Sequence, residues 1–393
     1  MMPPPQVGQV RLYEIDGLRG WAALSVMLFH IFCEVFGKLE PEFRSPFLAP
    51  FLDGAMDVAV FFVLSGDALS AAYWARQSRE SVARLAVKRY FRLGVPIFAS
   101  CLIVFVLMKT GLIFSHQAAV LVGREDWLGL FLHYNYSVAD LIKYTAFDVF
   151  FNQTASGSLN PFLWPMQVEL LGSLLVFCYL LLDTHIRLKS VFLIFIFVVC
   201  LGGNSFLACF VFGMICGHVR ARGGFDWLRR QRTVQVLAIP AVVVAAILGS
   251  YFDLVTPQWC PPIIIASCAL VFGVYASAAL SRFFALPLSR WLGRISFPLY
   301  LVHFPVIASF TSGLIVLAHA HGVLGPAVIW CIALGSAVLS VLVAVLFLPV
   351  EALTARIGEA ACRVIMQGDL TIGWATLFPP VRGSRRPDAS ARE

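Results

Sequence analysis

Long runs of apolar residues, separated by short polar segments, make up most of the chain. Eight runs are long enough, at about 20 residues each, to cross a bilayer, and they lie near residues 17–36, 54–75, 93–113, 163–183, 233–251, 262–281, 295–317 and 325–349. A further apolar stretch, between Lys189 and His218, is interrupted at Gly202 and Gly203. Its halves, of about 12 and 15 residues, predict a hairpin of two short helices. The pattern therefore predicts an all-α, polytopic membrane bundle of about ten transmembrane helices.

The composition agrees with this pattern and excludes other classes of protein. Of 393 residues, 60% are hydrophobic and 13% are charged, with a mean hydropathy of +0.84, whereas a globular domain carries roughly 25% charged residues. These values exclude a soluble enzyme, a disordered chain and a nucleic-acid-binding protein. The ten cysteines show no paired spacing, so we expect neither a disulfide framework nor a metal site. Residues 1–20 lack the features of a signal peptide, so we expect the first apolar run to be retained.

Lysine and arginine residues are distributed unequally between the two sides of the predicted bundle. With the N-terminus placed inside, 24 of the 29 basic residues fall on the cytoplasmic side. Because cytoplasmic loops of membrane proteins carry an excess of such residues, both termini are predicted to be cytoplasmic. We assign residues 1–351 to the transmembrane domain and residues 352–393 to a polar cytoplasmic tail that is disordered at its end. The longest outer segment, about 114–162, is either a lid or acceptor platform or an ordinary long connection.

Ionisable side chains inside apolar runs are candidates for function, since each costs at least about 2.5 kcal/mol at membrane depth. On the first span, Asp16, Arg19, His30 and Glu34 fall within an arc of roughly 60° on a helix. Arg19 and His30 are separated by about 16 Å along the axis, so an interfacial Arg19 places His30 near the midplane. In the alternative interpretation, Asp16 pairs with Arg19 to close the start of the helix, and Glu34 only extends to the outer surface.

Other predicted spans carry similar residues. Tyr300 and His303 share one face of the ninth span, and His303 is predicted to lie at a depth similar to that of His30. Asp67 on the second span has a comparable depth, while Glu169 on the fourth is closer to the outer face. The structural alternatives are a helix-to-helix hydrogen bond for His303 and a counter-charge to an arginine for Asp67.

Six segments follow one another along the chain: IDGLRGWAALSVMLFH (15–30), AMDVAVFFVLSG (55–66), KRYFRLGVP (88–96), LWPMQVELL (163–171), RISFPLYLVHFPV (294–306) and PVE (349–351). In this order they resemble the acyltransferase family 3 membrane proteins, which move acyl groups, usually acetyl, onto carbohydrate or other hydroxyls. The resemblance implies about ten transmembrane helices, with Arg19 and His30 as the catalytic pair. The chain departs from the family's pattern at Asp67, where an aromatic residue usually follows Ser-Gly.

Acyl transfer from a thioester to a hydroxyl needs a base for the hydroxyl proton and positive charge for the developing oxyanion. We expect His30 to be the base, because imidazole titrates nearest neutrality, with Asp16 or Glu34 orienting its ring. Arg19 is expected to anchor a donor phosphate or to stabilise charge. A covalent acyl-histidine intermediate is an open alternative.

The donor implied by the resemblance is acetyl-CoA or another acyl-CoA. Lys88, Arg89 and Arg92 match the basic motif that opens the third span and are assigned to its phosphates. Basic cytoplasmic loops are, however, general in membrane proteins.

The expected acceptor is an exported or cell-surface saccharide or a glycolipid. Glu169, which matches an acidic position of the family, and Trp164 are assigned to this acceptor, although Trp164 also suits an interfacial belt. His303, Tyr300 and Asp67 are the remaining residues assigned to substrate.

The sequence thus predicts a multi-pass acyltransferase of the bacterial inner membrane, in contact with acyl-CoA, the acceptor and the bilayer. A secondary transporter or saccharide flippase is the alternative, because it also explains a broken hairpin and buried charges. The absence of an evident internal repeat argues against it, and transfer of labelled acetyl groups distinguishes the two.

Overall fold

The computed structural model describes residues 12–154, 157–203, 205–255 and 261–368, and every regular element within these ranges is a helix. The α-helices are α1 (Tyr13–Leu28), α2 (Gly54–Arg76), α3 (Arg79–Lys109), α4 (Ser115–Val122), α5 (Val138–Lys143), α6 (Val149–Phe151), α7 (Pro165–Leu182), α8 (Lys189–Gly202), α9 (Leu207–Ala221), α10 (Gly224–Arg230), α11 (Arg232–Val255), α12 (Pro261–Ala276), α13 (Ala278–Phe284), α14 (Pro287–Val306), α15 (Ser312–Ala320), α16 (Pro326–Leu346) and α17 (Leu348–Gln367). Three π-helical segments, Phe29–Phe36, Tyr144–Asp148 and Ile307–Thr311, extend or join α-helices, and short 3₁₀ turns include Pro161–Leu163.

Seven helices in the described ranges are long and apolar enough to span a membrane. They match seven of the eight runs predicted from the sequence. The eighth, predicted at 262–281, is α12 followed by α13, which are bent by 96° relative to each other at a break. Helices α8 and α9, of 14 and 15 residues, are short as expected, and the count of ten transmembrane helices stays a prediction.

Glycines allow α1 and α14 to pack against each other at very short range. A Cβ atom added at Gly20 would lie 2.5 Å from the backbone carbon of Leu292, and one at Gly17 would lie 3.0 Å from the Cβ of Ser289. The first distance is too short for a real side chain and the second is at the lower limit of real contacts, so the two helix backbones approach closely because small residues lie between them. This contact turns the polar stripes of the two helices toward each other.

Two buried apolar clusters hold the bundle together. The first joins α1, α3, α14, α16 and the segment 114–163. The second joins α2, α7, α9 and α12. Phe61 on α2 packs against both clusters, so the two halves share a boundary.

The polar C-terminal region continues the fold beyond the boundary that the sequence suggested. Residues 352–367 belong to α17, which packs against α3 and buries Thr354 and Cys362. The predicted domain limit at 351 therefore falls inside a helix. The disorder expected at the end of the chain concerns residues that lie outside the described ranges.

Candidate active site

Two histidines from different helices meet in the middle of the bundle. His30, in the π-helical segment after α1, has its Nδ1 atom 3.0 Å from Nε2 of His303 on α14. His303 is fully buried, whereas His30 is partly exposed. The similar depth that the sequence predicted for the two residues agrees with this contact.

The hydrogen bonds of this pair fix its tautomers. His303 Nδ1 lies 3.0 Å from the carbonyl oxygen of Leu299, which can only accept, so this nitrogen carries a proton. In the neutral ring, Nε2 of His303 is then an acceptor for the Nδ1–H of His30. The remaining nitrogen of His30, Nε2, consequently bears a lone pair, and it accepts no hydrogen bond from a described residue. This is the state that a general base requires.

Aromatic rings surround the His30 imidazole. Phe162 stacks on it with ring centroids 4.1 Å apart and an interplanar angle of 13°. Trp127 stacks at 5.8 Å and 19°, and Trp127 and Phe162 also stack on each other at 5.7 Å. Phe162 belongs to the 3₁₀ turn Pro161–Leu163, and Trp127 to the long segment between α4 and α5.

A buried ion pair anchors that segment to the first helix. Arg124, 4% exposed, donates to the Oε2 atom of Glu34 at 2.8 Å and to the Glu34 backbone oxygen at 2.7 Å. Desolvation raises the pKa of the neighbouring, largely exposed Asp126, but the hydrogen bonds and charges of Lys38 and Arg124 outweigh it and leave that pKa below its usual value. The segment that carries Trp127 is thus held over His30 by charge-assisted contacts.

A cavity of about 590 Å³ lies between α1, α2, α3, α7, α14 and α17. Its lining includes four cations and three carboxylates: Arg19, Lys88, Arg89, Arg92, Glu169, Glu351 and Glu359. Their charges leave an excess of one positive charge at neutral pH. Glu351 and Glu359 come from α17, and Glu359 belongs to the region that the sequence assigned to the tail.

The ion pairs inside the cavity are Arg89 with Glu169 and Lys88 with Glu359. Arg19 and Arg92, by contrast, donate no hydrogen bond to a described residue. A guanidinium group that lines a cavity and donates no hydrogen bond within the described ranges is suited to hold an anionic group.

The cavity reaches close to the histidine pair without including it. Tyr300 lines the cavity, and its ring centroid is 6.0 Å from that of His303. The Tyr300 hydroxyl donates to the backbone oxygen of Phe162, the residue stacked on His30. Tyr300 and Phe162 therefore form the layer between the cavity and His30.

Neither acidic residue proposed to orient His30 does so. Glu34 is engaged by Arg124 and Arg44. Asp16 precedes His30 by about 21 Å along the helix, too far for a hydrogen bond. The observed partner of the ring is His303, which the sequence had assigned to substrate.

The sequence placed Glu169 and Trp164 together at an outer mouth, whereas in the structure Glu169 lines the basic cavity and Trp164 does not. The turn before α7 is inserted beside the middle of α14, where Asn160 Nδ2 donates to the Leu301 oxygen at 3.2 Å. Because α7 begins at that level, Glu169 lies in the cavity with the basic residues. Trp164 packs against Phe206, the residue before α9, with ring centroids 6.3 Å apart.

Asp67 is separate from the cavity. It is fully buried and accepts hydrogen bonds of 2.5 and 2.7 Å from Arg220 on α9. The Arg220 guanidinium also lies over the Tyr275 ring, 4.5 Å from its centroid. This supports the structural alternative for Asp67, a counter-charge to an arginine.

Sequence reasoning missed Phe162 as a neighbour of the candidate base and treated Trp127 only as part of a loop. Neither has a charge or a helical stripe that would single it out. The cavity residue Glu351 did have a signal, since it closes the PVE segment.

A family model described as an acyltransferase domain matches residues 12–348 of the chain. Comparison with curated proteins and with solved structures gives no match. The matched range contains His30, His303, Arg19 and Arg92, and it ends at the first residue of α17.

Proposed function

Since the chain belongs to the acyltransferase family that this model describes, we propose that it transfers an acetyl group from acetyl-CoA to a hydroxyl of an exported or cell-surface saccharide. Several apolar helices and the family make it a multi-pass membrane protein. The bacterial inner membrane is the location that we propose for it.

The observation that carries this proposal is the His30–His303 contact. It leaves Nε2 of His30 unprotonated and pointing away from its partner, in a ring that is partly exposed. Burial of the pair disfavours a charged imidazole in the resting site. His30 is therefore suited to accept a proton from a bound hydroxyl.

In the proposed reaction His30 Nε2 takes up one proton and later releases it. His30 Nε2 removes the acceptor's hydroxyl proton as the oxygen attacks the thioester carbon, forming the C–O bond. The C–S bond then breaks, and the proton passes from His30 to the departing thiolate, giving CoA thiol. Throughout, His303 Nε2 accepts from the His30 Nδ1–H and keeps the ring in place.

The charges of the cavity suit the donor. Arg19 and Arg92 have unused donors, and Arg forks match phosphate oxygens. Arg19 is about 16 Å from His30 along the helix, which argues against a direct role at the reacting carbonyl. In acyl-CoA the pantetheine arm separates phosphates from thioester, so phosphates at Arg19 leave the thioester free to approach His30. The arm has to pass the layer of Tyr300 and Phe162.

We propose that the acceptor binds beside Trp127. Trp164 and Glu169, which the sequence assigned to the acceptor, are not part of this proposed site. Trp127 is partly exposed and stacked on His30. An indole face next to a base suits a sugar ring that presents a hydroxyl. Along the first span, Arg19 of the basic cavity precedes His30, whereas Arg124, next to the segment that carries Trp127, binds Glu34 beyond it. This arrangement suits a donor and an acceptor that arrive separately.

The test uses purified full-length protein, acetyl-CoA labelled in the acetyl group and a panel of surface glycans. We expect label in a glycan with the unaltered protein, and a loss of at least about 100-fold with His30→Gln. His319→Gln, an exposed histidine of α15, is the matched control and should retain full activity. Translocation of a saccharide without label transfer would contradict the proposal and favour the transporter. Equal activity of His30→Gln and the control would exclude His30 as the base.

A further inference from the structure

A second cavity, of about 540 Å³, lies at the start of α8, away from the histidines. Trp74, Arg187, Lys189, His218 and Arg222 are among its lining residues, and no carboxylate is. Nothing in acyl transfer as proposed above uses these residues.

The cavity carries uncompensated positive charge. Lys189 is paired with the buried Asp183 at 2.5 Å. Arg187 and Arg222 are exposed and form no ion pair with a described residue. Two positive charges are therefore left for a ligand.

Backbone and side-chain donors add to these charges. Helix α8 has no side-chain cap, and its first hydrogen-bonded amide is that of Phe192, which donates to the Leu188 oxygen. The N–H groups of Lys189, Ser190 and Val191 have no acceptor within the helix, and a helix N-terminus favours an anion. Independently, Trp74 is 7% exposed, and its indole N–H has no acceptor among the described residues. Unpaired donors beside two guanidinium groups that form no ion pair with a described residue are suited to an anion.

An exposed apolar face begins at the same place. Leu188, Val191, Phe192 and Phe195 lie three or four residues apart on one side of α8, and Leu188 and Val191 are 70% and 60% exposed. A soluble anion would make no use of this face. A membrane lipid would, because its phosphate is covalently joined to acyl chains.

We propose that this cavity binds the headgroup phosphate of an anionic membrane phospholipid, whose acyl chains lie along the exposed face of α8. Arg187, Arg222 and the α8 amides receive the phosphate, and the net charge of the cavity favours an anionic headgroup over a zwitterionic one. The site depends on the protein's membrane location and not on the proposed reaction.

The test measures lipid binding to the full-length protein in detergent by native mass spectrometry. The probes are phosphatidylglycerol and phosphatidylcholine with the same acyl chains. We expect preferential binding of phosphatidylglycerol, and a loss of about tenfold in its affinity with Arg187→Gln/Arg222→Gln. Lys189 is left unchanged, because its removal would strand the buried Asp183 carboxylate.

The matched control is Arg230→Gln/Arg232→Gln, which removes two exposed arginines outside the cavity and should bind as the unaltered protein does. Unchanged melting temperatures would show that both variants fold, as expected for exposed arginines that have no ion-pair partner in the described ranges. Equal binding of the two lipids, or an equal loss in the control, would overturn the proposal. Displacement of phosphatidylglycerol by inorganic phosphate or CoA would also overturn it, by showing a site for a soluble phosphate.

Discussion

At the scale of single residues, the candidate site depends on which imidazole nitrogen carries a proton. The Leu299 carbonyl determines the tautomer of His303, and His303 determines that of His30. The second histidine thus positions the first without needing to touch substrate. A sequence can show that two histidines share a depth, but it cannot show this order of donors and acceptors, because that order depends on one backbone oxygen.

His303→Leu is expected to lower kcat by about 10- to 100-fold, because the Nδ1–H of His30 loses its acceptor. The KM for acetyl-CoA should stay unchanged. His303→Gln should recover part of kcat, since its amide oxygen can accept the same hydrogen bond. Steady-state kinetics of the three proteins provide the measurement. A raised KM with an unchanged kcat would instead make His303 a substrate contact, as the sequence suggested.

Arg92→Gln is expected to raise the KM for acetyl-CoA about tenfold, because a charge-assisted contact with a donor phosphate is lost. With acetyl-pantetheine, which carries no phosphate, the same variant should act like the unaltered protein. Arg84→Gln is the control: Arg84 lies on the same helix but pairs with Glu80 on the surface. An equal loss with both donors would refute phosphate binding by Arg92.

At the scale of helices, the His30–His303 distance is set by how closely α1 and α14 approach. That approach depends on glycines, since a Cβ at Gly20 would lie 2.5 Å from the Leu292 backbone. Gly20→Ala is therefore expected to separate the helices, lowering both kcat and the melting temperature. Gly335→Ala is a sharp control, because a Cβ there would meet nothing within 4 Å and should stabilise α16 by up to about 1 kcal/mol. If Gly20→Ala kept full kcat, the close contact between α1 and α14 would not be needed for the geometry of the site.

Much of this helical framework is predictable, because a membrane-spanning helix must present a long apolar run. The polar stripes on the first and ninth spans also correctly indicate the faces that meet. The depth at which a helix starts is harder to predict from the sequence. The apolar run at 163–183 predicts the length of α7, but it does not predict that the turn Pro161–Leu163 is inserted beside α14. For this reason the sequence placed Glu169 near the outer face, although it lines the cavity. Helix α17 was not predicted, because its apolar residues cover only one face and do not form a long apolar run.

At the scale of the whole molecule, the two apolar clusters carry different polar groups. The cluster containing α1 and α14 surrounds the histidines. The cluster containing α2 and α9 encloses the ion pair of Asp67 and Arg220. The proposed catalytic histidines and the ion pair that joins α2 to α9 thus lie in separate groups of residues. The sequence had instead assigned Asp67 to the substrate.

This separation predicts that loss of the Asp67–Arg220 ion pair lowers stability and leaves turnover unchanged. Asp67→Asn removes one partner of a buried pair and leaves the Arg220 charge uncompensated, so it is expected to cost about 3 kcal/mol. Asp67→Asn/Arg220→Gln should be more stable than the single variant, because no charge is left alone in the interior. Thermal unfolding in detergent measures both, and kcat per folded molecule should stay unchanged in each. A normal melting temperature with lost turnover in Asp67→Asn would contradict this separation and favour the role at the substrate that the sequence suggested, because the ion pair would then contribute to the reaction and not to the fold.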